Sequence, residues 1–401
     1  MQAGSWRSIL LIFFYAELIA ACHGKSLALV PDVVRTFGVD APTASWVIGA
    51  VAVVAAISAP VGGWLIDRLG ELRAIRFGLV IATAGSAAGF FATRFDVLIA
   101  CRLFEGIGYI AVVLGALALL IRTTEGQRQT TALAFWSVAS PMGGALAIAA
   151  VSPIAGTPLW QWVFAGHAVL LLVALFLTPF LPEAPARPVV REPIRSALSI
   201  YSYPAVLGFL GAIIFLQIFK LGAGSALPTF LMNEHGVPPA WIGVISAGSI
   251  ACSVGGGIIA GFLFNRGANV KLVATSGALV SAVATLLVYA PSMPTSFALA
   301  AQFVGAVSGG LLFAWITTNI PKVAPDPSRV GATGGAVSQL LYLGMAIGPS
   351  FMFFILAQPS RLPLILAVVI AYGLPLIFLR RKASRRGDEC PGWRVEATDP
   401  Q

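Results

Sequence analysis

Charge is the scarcest thing in this chain. Asp, Glu, Lys and Arg together make up 10% of its 401 residues, while 58% are hydrophobic. A soluble globular protein draws about a quarter of its residues from those four types, so a soluble fold is excluded and a polytopic membrane protein remains. Cysteine is nearly as sparse: Cys22, Cys101, Cys252 and Cys390 lie in apolar runs or in the tail, with neither disulfide-framework nor zinc-like spacing. No metal is expected. Hydrolytic signatures are missing too, since neither G-x-S-x-G nor H-E-x-x-H occurs. Gly24-Lys25-Ser26 imitates the end of a phosphate-binding loop, but Ile19 stands where that loop needs its first glycine, and the tripeptide falls inside a helical run. The chain is read as no enzyme, with no cofactor. Acidic residues are fewer than basic ones, 16 against 25, for a formal charge of +9. The basic residues are spread over loops and tail and not along a groove, which argues for anionic lipid as partner and against nucleic acid.

In place of charge the chain has apolar length. About twelve segments of roughly 20 residues, the length that spans a bilayer as a helix, fall near 8–30, 45–66, 74–93, 97–121, 130–152, 162–181, 204–231, 241–263, 272–290, 296–320, 330–356 and 362–379. The first has the outline of a secretory signal, with Arg7 before an apolar run ending at Cys22; Glu17 interrupts that run and no polar exported domain follows, so it is kept as the first spanning helix. Lys and Arg set the orientation. With the N-terminus in the cytoplasm, Arg7, Arg68, Arg73, Arg76, Arg122, Arg128, Arg187, Arg191, Arg195, Arg266, Lys271, Lys322, Arg329 and the basic tail fall inside, and only Arg35, Arg94 and Arg361 outside. Positive loops stay in the cytoplasm, and an even helix count returns the C-terminus there, in the cell inner membrane.

The longest polar interruption, rich in proline and charge, divides the segments six and six: an N-terminal six-helix bundle over 1–181, a cytoplasmic linker over 182–200, a C-terminal bundle over 201–380, and a basic tail over 381–401. The halves echo each other. Residues 62–68, GGWLIDR, match 260–266, AGFLFNR; Gly38-Val39 before Trp46 matches Gly236-Val237 before Trp241. The order is preserved at an offset of about 198 residues, a parallel repeat of the kind that secondary transporters use. The fold expected is an all-α integral membrane protein of twelve helices in two pseudo-symmetric bundles.

The most charged punctuation is GGWLIDRLGELR, from Gly62 to Arg73, in the tight turn between the second and third segments. It resembles the G-x-L-x-D-R-x-G-x-[RK] signature of the major facilitator superfamily, matched here by Gly63, Leu65, Asp67, Arg68, Gly70 and Arg73. Arg102, Gly106 and Gly108 resemble the family's signature in the fourth helix, with Glu105 where glutamine is commoner. Pro141, Gly143 and Gly144 loosely resemble its antiporter signature in the fifth, with Ser140 in place of a glycine and the spacing shortened. In the second half Asn265 replaces the acidic residue. The resemblance implies alternating access, with Gly63, Asp67, Arg68, Gly70 and Arg73 as a conformational latch in which Asp67 caps the positive start of the eleventh helix. The simpler reading of the same patch is a positive loop that sets topology.

Ionisable residues at membrane depth must face the bundle interior, a cavity or one another, because leaving a charge in hydrocarbon costs about 2.5–3.5 kcal/mol. Glu17 lies near mid-helix with Lys25 two turns further on; Arg102 and Glu105 are three apart and close enough to pair. A buried carboxyl changes protonation as its neighbours move, so Glu17 and then Glu105 are the proton-coupling candidates. Lys25, Arg102, Gln217, Lys220 and His23 are the candidates to line the substrate path, and the excess of cations favours an anionic solute unless Lys25 and Lys220 reach to the interface. Gly222, Gly224 and Pro228 weaken the outer third of the seventh helix as a gate would. Tyr15, Trp136, Phe215, Phe219 and Trp315 line the path or pack, and Gly257/Gly261, Gly305/Gly309, Gly331/Gly335 and Gly344/Gly348 permit close crossings. The function expected is proton-coupled transport of a small organic solute by a monomer, with efflux favoured. Uptake of a small organic anion and a non-transporting sensor are the alternatives.

Overall fold

The computed structural model describes residues 4–183, 198–325 and 329–384; the side chains at 59–65, 67, 68, 126, 127, 130, 131, 133–135, 137–141, 239, 265, 330, 331 and 379–384 lie outside that description. Most of the expected linker and the tail beyond Ser384 lie outside it as well. Twelve long helices fill the described residues. They are α1 (Trp6–Leu27), α4 (Trp46–Leu69), α5 (Glu71–Phe90), α6 (Phe95–Thr123), α7 (Gly126–Val151) and α8 (Trp162–Leu177) in the first half, and α9 (Pro204–His235), α10 (Pro239–Asn265), α11 (Val270–Val288), α12 (Thr295–Val323), α13 (Val330–Leu356) and α14 (Leu362–Ser384) in the second. Two short helices, α2 (Val30–Phe37) and α3 (Ala41–Ala44), occupy the first loop. The first span therefore ends at Leu27 and not near 30, because Pro31 cannot extend a helix but suits the first turn of a new one.

The helix ends follow local chemistry. Ser5 caps α1 by accepting the Ser8 N–H at 3.2 Å, and Asn269 caps α11 by accepting from Lys271 and Leu272. Gly70 joins α4 to α5 at φ 82° and ψ 147°, a conformation open to glycine almost alone. The sequence echo at 38 and 236 is also a conformational echo: both glycines end their helices left-handed, at φ 65° and 62°.

Packing repeats across the halves. α1 lies on α7, α4 on α6, and α5 on α6 and α8; α9 lies on α13, α10 on α12, and α11 on α12 and α14. Lipid offers no hydrophobic drive between helices, so close backbone approach does the work. A Cβ on Gly24 would come within 2.2 Å of the Gly144 carbonyl, and one on Gly222 within 2.2 Å of the Gly348 carbonyl. Of the expected small-residue pairs, Gly344/Gly348 lies in such a crossing, whereas a Cβ on Gly257 or Gly261 would meet nothing within 4 Å, although the Gly257 backbone nitrogen backs onto Gly310. On α10 the close crossing is made by Gly256 against the Val307 backbone and by Ser253 and Gly257 against Gly310.

The halves meet along α4 with α13 and α7 with α10. Among the described residues, close approaches between the halves lie at the far end, opposite the start of α1 and the end of α14. There a Cβ on Gly49 would come within 2.2 Å of the Ala346 carbonyl and one on Gly243 within 2.4 Å of the Ala149 Cβ. Helix α9 runs unbroken through Gly222, Gly224 and Pro228.

Candidate functional site

Five side chains from α1, α5, α6 and α8 converge in the far half of the first bundle. Lys25 Nζ donates to Glu105 Oε1 at 2.6 Å, to Ser86 Oγ at 2.7 Å and to His167 Nδ1 at 3.0 Å. An ammonium has three N–H groups, so all are used. Because Nδ1 must accept, the His167 proton sits on Nε2, which donates to the Leu18 carbonyl at 3.0 Å. Arg102 pairs with the other Glu105 oxygen through Nη1 and donates from Nε to the Val47 carbonyl and from Nη2 to the Cys22 carbonyl. Both cations lie over the Phe164 ring, Lys25 at 4.5 Å and Arg102 at 5.9 Å. Lys25, Arg102 and Glu105 are 2%, 0% and 0% exposed. This is a closed node in which every Lys25 N–H is engaged. Neither cation reaches for the interface.

The thiol of Cys22, Glu105 and His167 also lie within 4.8 Å of one another, a metal-like grouping. Lys25 fills the gap between Glu105 and His167, and Arg102 holds the free carboxylate oxygen, so the donor set is already taken by two cations and does not suit a third.

Glu17 differs in every respect. It is half-buried at mid-α1, and neither carboxylate oxygen has a hydrogen-bond partner among the described residues. Lys25, two turns on, points to Glu105 instead. Gly143 makes room for the Glu17 side chain: a Cβ there would come within 2.5 Å of the Glu17 carbonyl and 2.8 Å of Oε2. The fifth-helix motif thus lies directly against the acidic residue of the first, with Gly144 against Gly24 one crossing further. The side chain of Pro141 lies outside the description. Phe13 and Trp136, a turn or two toward the start of α1, pair at 6.0 Å.

The other sequence candidates separate. His23 is buried edge-on to Tyr109 at 4.8 Å, with both ring nitrogens unpartnered among the described residues. Lys220 on α9 stands apart from the cluster, half-buried, donating to the Gly309 carbonyl at 3.1 Å; a Cβ on Gly309 would crowd it. Gln217 is buried one turn earlier, its backbone carbonyl against Gly344. Tyr15, Phe219 and Trp315 are buried core; Tyr15 donates to the Ala174 carbonyl at 2.8 Å and Trp315 packs on Phe209.

In the charged turn, Gly63, Asp67 and Arg68 lie on α4 with side chains outside the description, Gly70 makes the turn, and Arg73 is exposed on α5. Glu71 is buried and pairs with Arg122 at the end of α6, within the same half.

Sequence reasoning passed over His167 and Ser86. His167 was findable, being the one ionisable residue in the run Trp162–Leu177. Ser86 was not, since a serine on an apolar helix carries no signal until a cation is placed beside it.

Residues 9–349 match the Major Facilitator Superfamily. The chain is 27% identical over 331 residues to the chloramphenicol resistance protein of Streptomyces lividans, covering 80% of this chain and 82% of that one. It is 30% identical over 202 residues to the uncharacterized MFS-type transporter YwoD of Bacillus subtilis and 27% over 157 residues to the probable multidrug resistance protein EmrY of Escherichia coli, spanning 42% and 29% of their lengths. In fold it is similar to a bacterial homolog of the human lysosomal transporter Spinster, in an inward-facing and unoccupied conformation, with a TM-score of 0.78, 14% identity, and coverage of 96% and 98% of the two chains. The parallel repeat, the two six-helix halves and the family match together show that this chain belongs to the major facilitator superfamily.

Proposed function

We propose that this multi-pass membrane protein exports a small amphipathic organic solute in exchange for protons, by alternating access between its two halves. The observation that carries the reading is the Glu17 carboxylate, without a hydrogen-bond partner among the described residues and backed by Gly143 on the neighbouring helix. A carboxyl without a fixed partner takes or releases its proton as the surrounding helices and solvent change. Lys25 has all three of its donors engaged, and its buried node serves as the rigid wall beside it. Export is supported by the relatives named for resistance, a chloramphenicol resistance protein and a probable multidrug resistance protein. In this reading the protein works as a monomer with both termini in the cytoplasm, its basic tail on anionic lipid. Asp67 then latches the cytoplasmic side by capping α13.

The test is solute counterflow in proteoliposomes, repeated with a pH gradient of either sign. Glu17→Gln should abolish gradient-driven accumulation while leaving solute exchange intact. Full accumulation by the variant removes Glu17 from the coupling role and moves it to Glu105.

Lys220 favours a second reading, uptake of a small organic anion. Its ammonium makes one carbonyl hydrogen bond among the described residues, which leaves two N–H groups that a carboxylate or phosphate could take. Lys220→Gln should then raise the KM for an anionic solute and leave a neutral one unaffected.

A further inference from the structure

Helices α4 and α13 meet across the halves in one antiparallel register. At the far end the hydroxyls of Ser45 and Ser350 share a 2.8 Å hydrogen bond. Four residues along α4 and four back along α13, Gly49 meets the Ala346 carbonyl. Seven further on each helix, Gln339 Nε2 donates to the Ala56 carbonyl at 3.0 Å. Steps of four and seven keep one helix face, so the three contacts are rungs of a single seam from the far end to mid-membrane. One turn from Gln339, Tyr342 packs edge-on to Tyr109 of the first half at 6.4 Å.

The sequence explains why the innermost rung is polar. In a helix the Ala56 carbonyl should accept from the N–H four residues on, and that residue is Pro60, which has none. An orphan carbonyl inside a membrane bundle is costly unless another group reaches it. Gln339 reaches it from the opposite half. Tyr201, in the short turn Ser199–Ser202 that opens the second half, donates its hydroxyl hydrogen to Gln339 Oε1, which aims the amide N–H at Ala56.

We propose that Gln339 is a positioning residue of the transport cycle: it satisfies the carbonyl that Pro60 leaves open and so holds the far end of the molecule closed. The seam must part for that end to open, and the Ala56 carbonyl must then turn to water. A contact present in one state and absent in the other shifts their populations by its differential free energy. The role in transport rests on the alternating-access reading; the rung itself does not.

Hydrogen–deuterium exchange of the full chain in lipid nanodiscs tests it without a known substrate. Gln339→Leu should speed exchange of peptides covering 46–56 and 340–350 by roughly fivefold, the share of one net hydrogen bond, with peptides of α5 and α6 unchanged. Tyr201→Phe should have a smaller effect of the same sign. In a Pro60→Ala background the carbonyl has its own helical partner, so adding Gln339→Leu should change exchange less than about twofold. Equal acceleration in both backgrounds, or acceleration throughout the first bundle, overturns the proposal by making Gln339 a packing residue; no acceleration overturns it outright. A positive exchange result in a protein that moves no solute leaves the rung standing and removes only the transport reading.

Discussion

Among the described residues Glu105 is the one anion paired with both buried cations, so its substitutions are the most severe at the scale of single residues. Glu105→Gln keeps the shape but leaves Lys25 and Arg102 without a counter-charge in a fully buried site. Removing one partner of a buried ion pair costs about 3–5 kcal/mol; a melting temperature in detergent that stays within a degree or two of the parent would show the node is not holding the bundle. Glu17→Gln should behave in the opposite way. Glu17 makes no hydrogen bond among the described residues, so its neutral isostere should leave the melting temperature unchanged while coupling is lost. The pair of variants separates a structural carboxylate from a working one by calorimetry and transport on the same preparations.

At the scale of elements, the α1/α7 and α9/α13 crossings are matching devices in the two halves. Gly24→Val would drive a side chain into the Gly144 backbone, and Gly222→Val into that of Gly348, where no flexible atom can give way. Both should fail to yield a monodisperse protein on size exclusion. Gly144→Ala is the control, since a Cβ there meets nothing within 4 Å and it should elute as the parent does. The turn between α4 and α5 is set by backbone geometry. Gly70→Ala asks an L-residue to hold φ 82° and ψ 147°, which costs about 1–3 kcal/mol. The loss should appear as a lowered melting temperature whatever the latch does, so charge substitutions at Asp67 are the cleaner probe of function.

For the whole molecule, the far-end seam is the part that must open in an alternating-access cycle. Ser45 and Ser350 stand close enough, with hydroxyl oxygens 2.8 Å apart, for cysteines placed there to join. The Ser45→Cys, Ser350→Cys protein should lose transport on oxidation and recover it on reduction, while solute binding from the opposite side persists. Undiminished transport by the oxidised protein would show that this seam does not part.

Fold class was legible without coordinates because the bilayer imposes it: length, apolarity and the six-and-six repeat leave few alternatives, and the echo at Gly38 and Gly236 extends to matching left-handed turns. The candidate site was legible only as a roster. Mid-membrane Glu17, Lys25, Arg102 and Glu105 stand out by cost alone, yet nothing in the sequence says that Lys25 joins Glu105 on α6 and not Glu17 on its own helix. That choice depends on which helix faces are turned together, and small-residue crossings such as Gly24 on Gly144 decide it. The same holds for Gln339, an ordinary polar residue until antiparallel packing sets it against the one carbonyl that Pro60 leaves open. Sequence determined the membrane, the count of helices and the presence of costly groups, because each follows from local composition. Tertiary structure alone decided which of those groups are satisfied, because satisfaction is a distance between residues far apart in the chain.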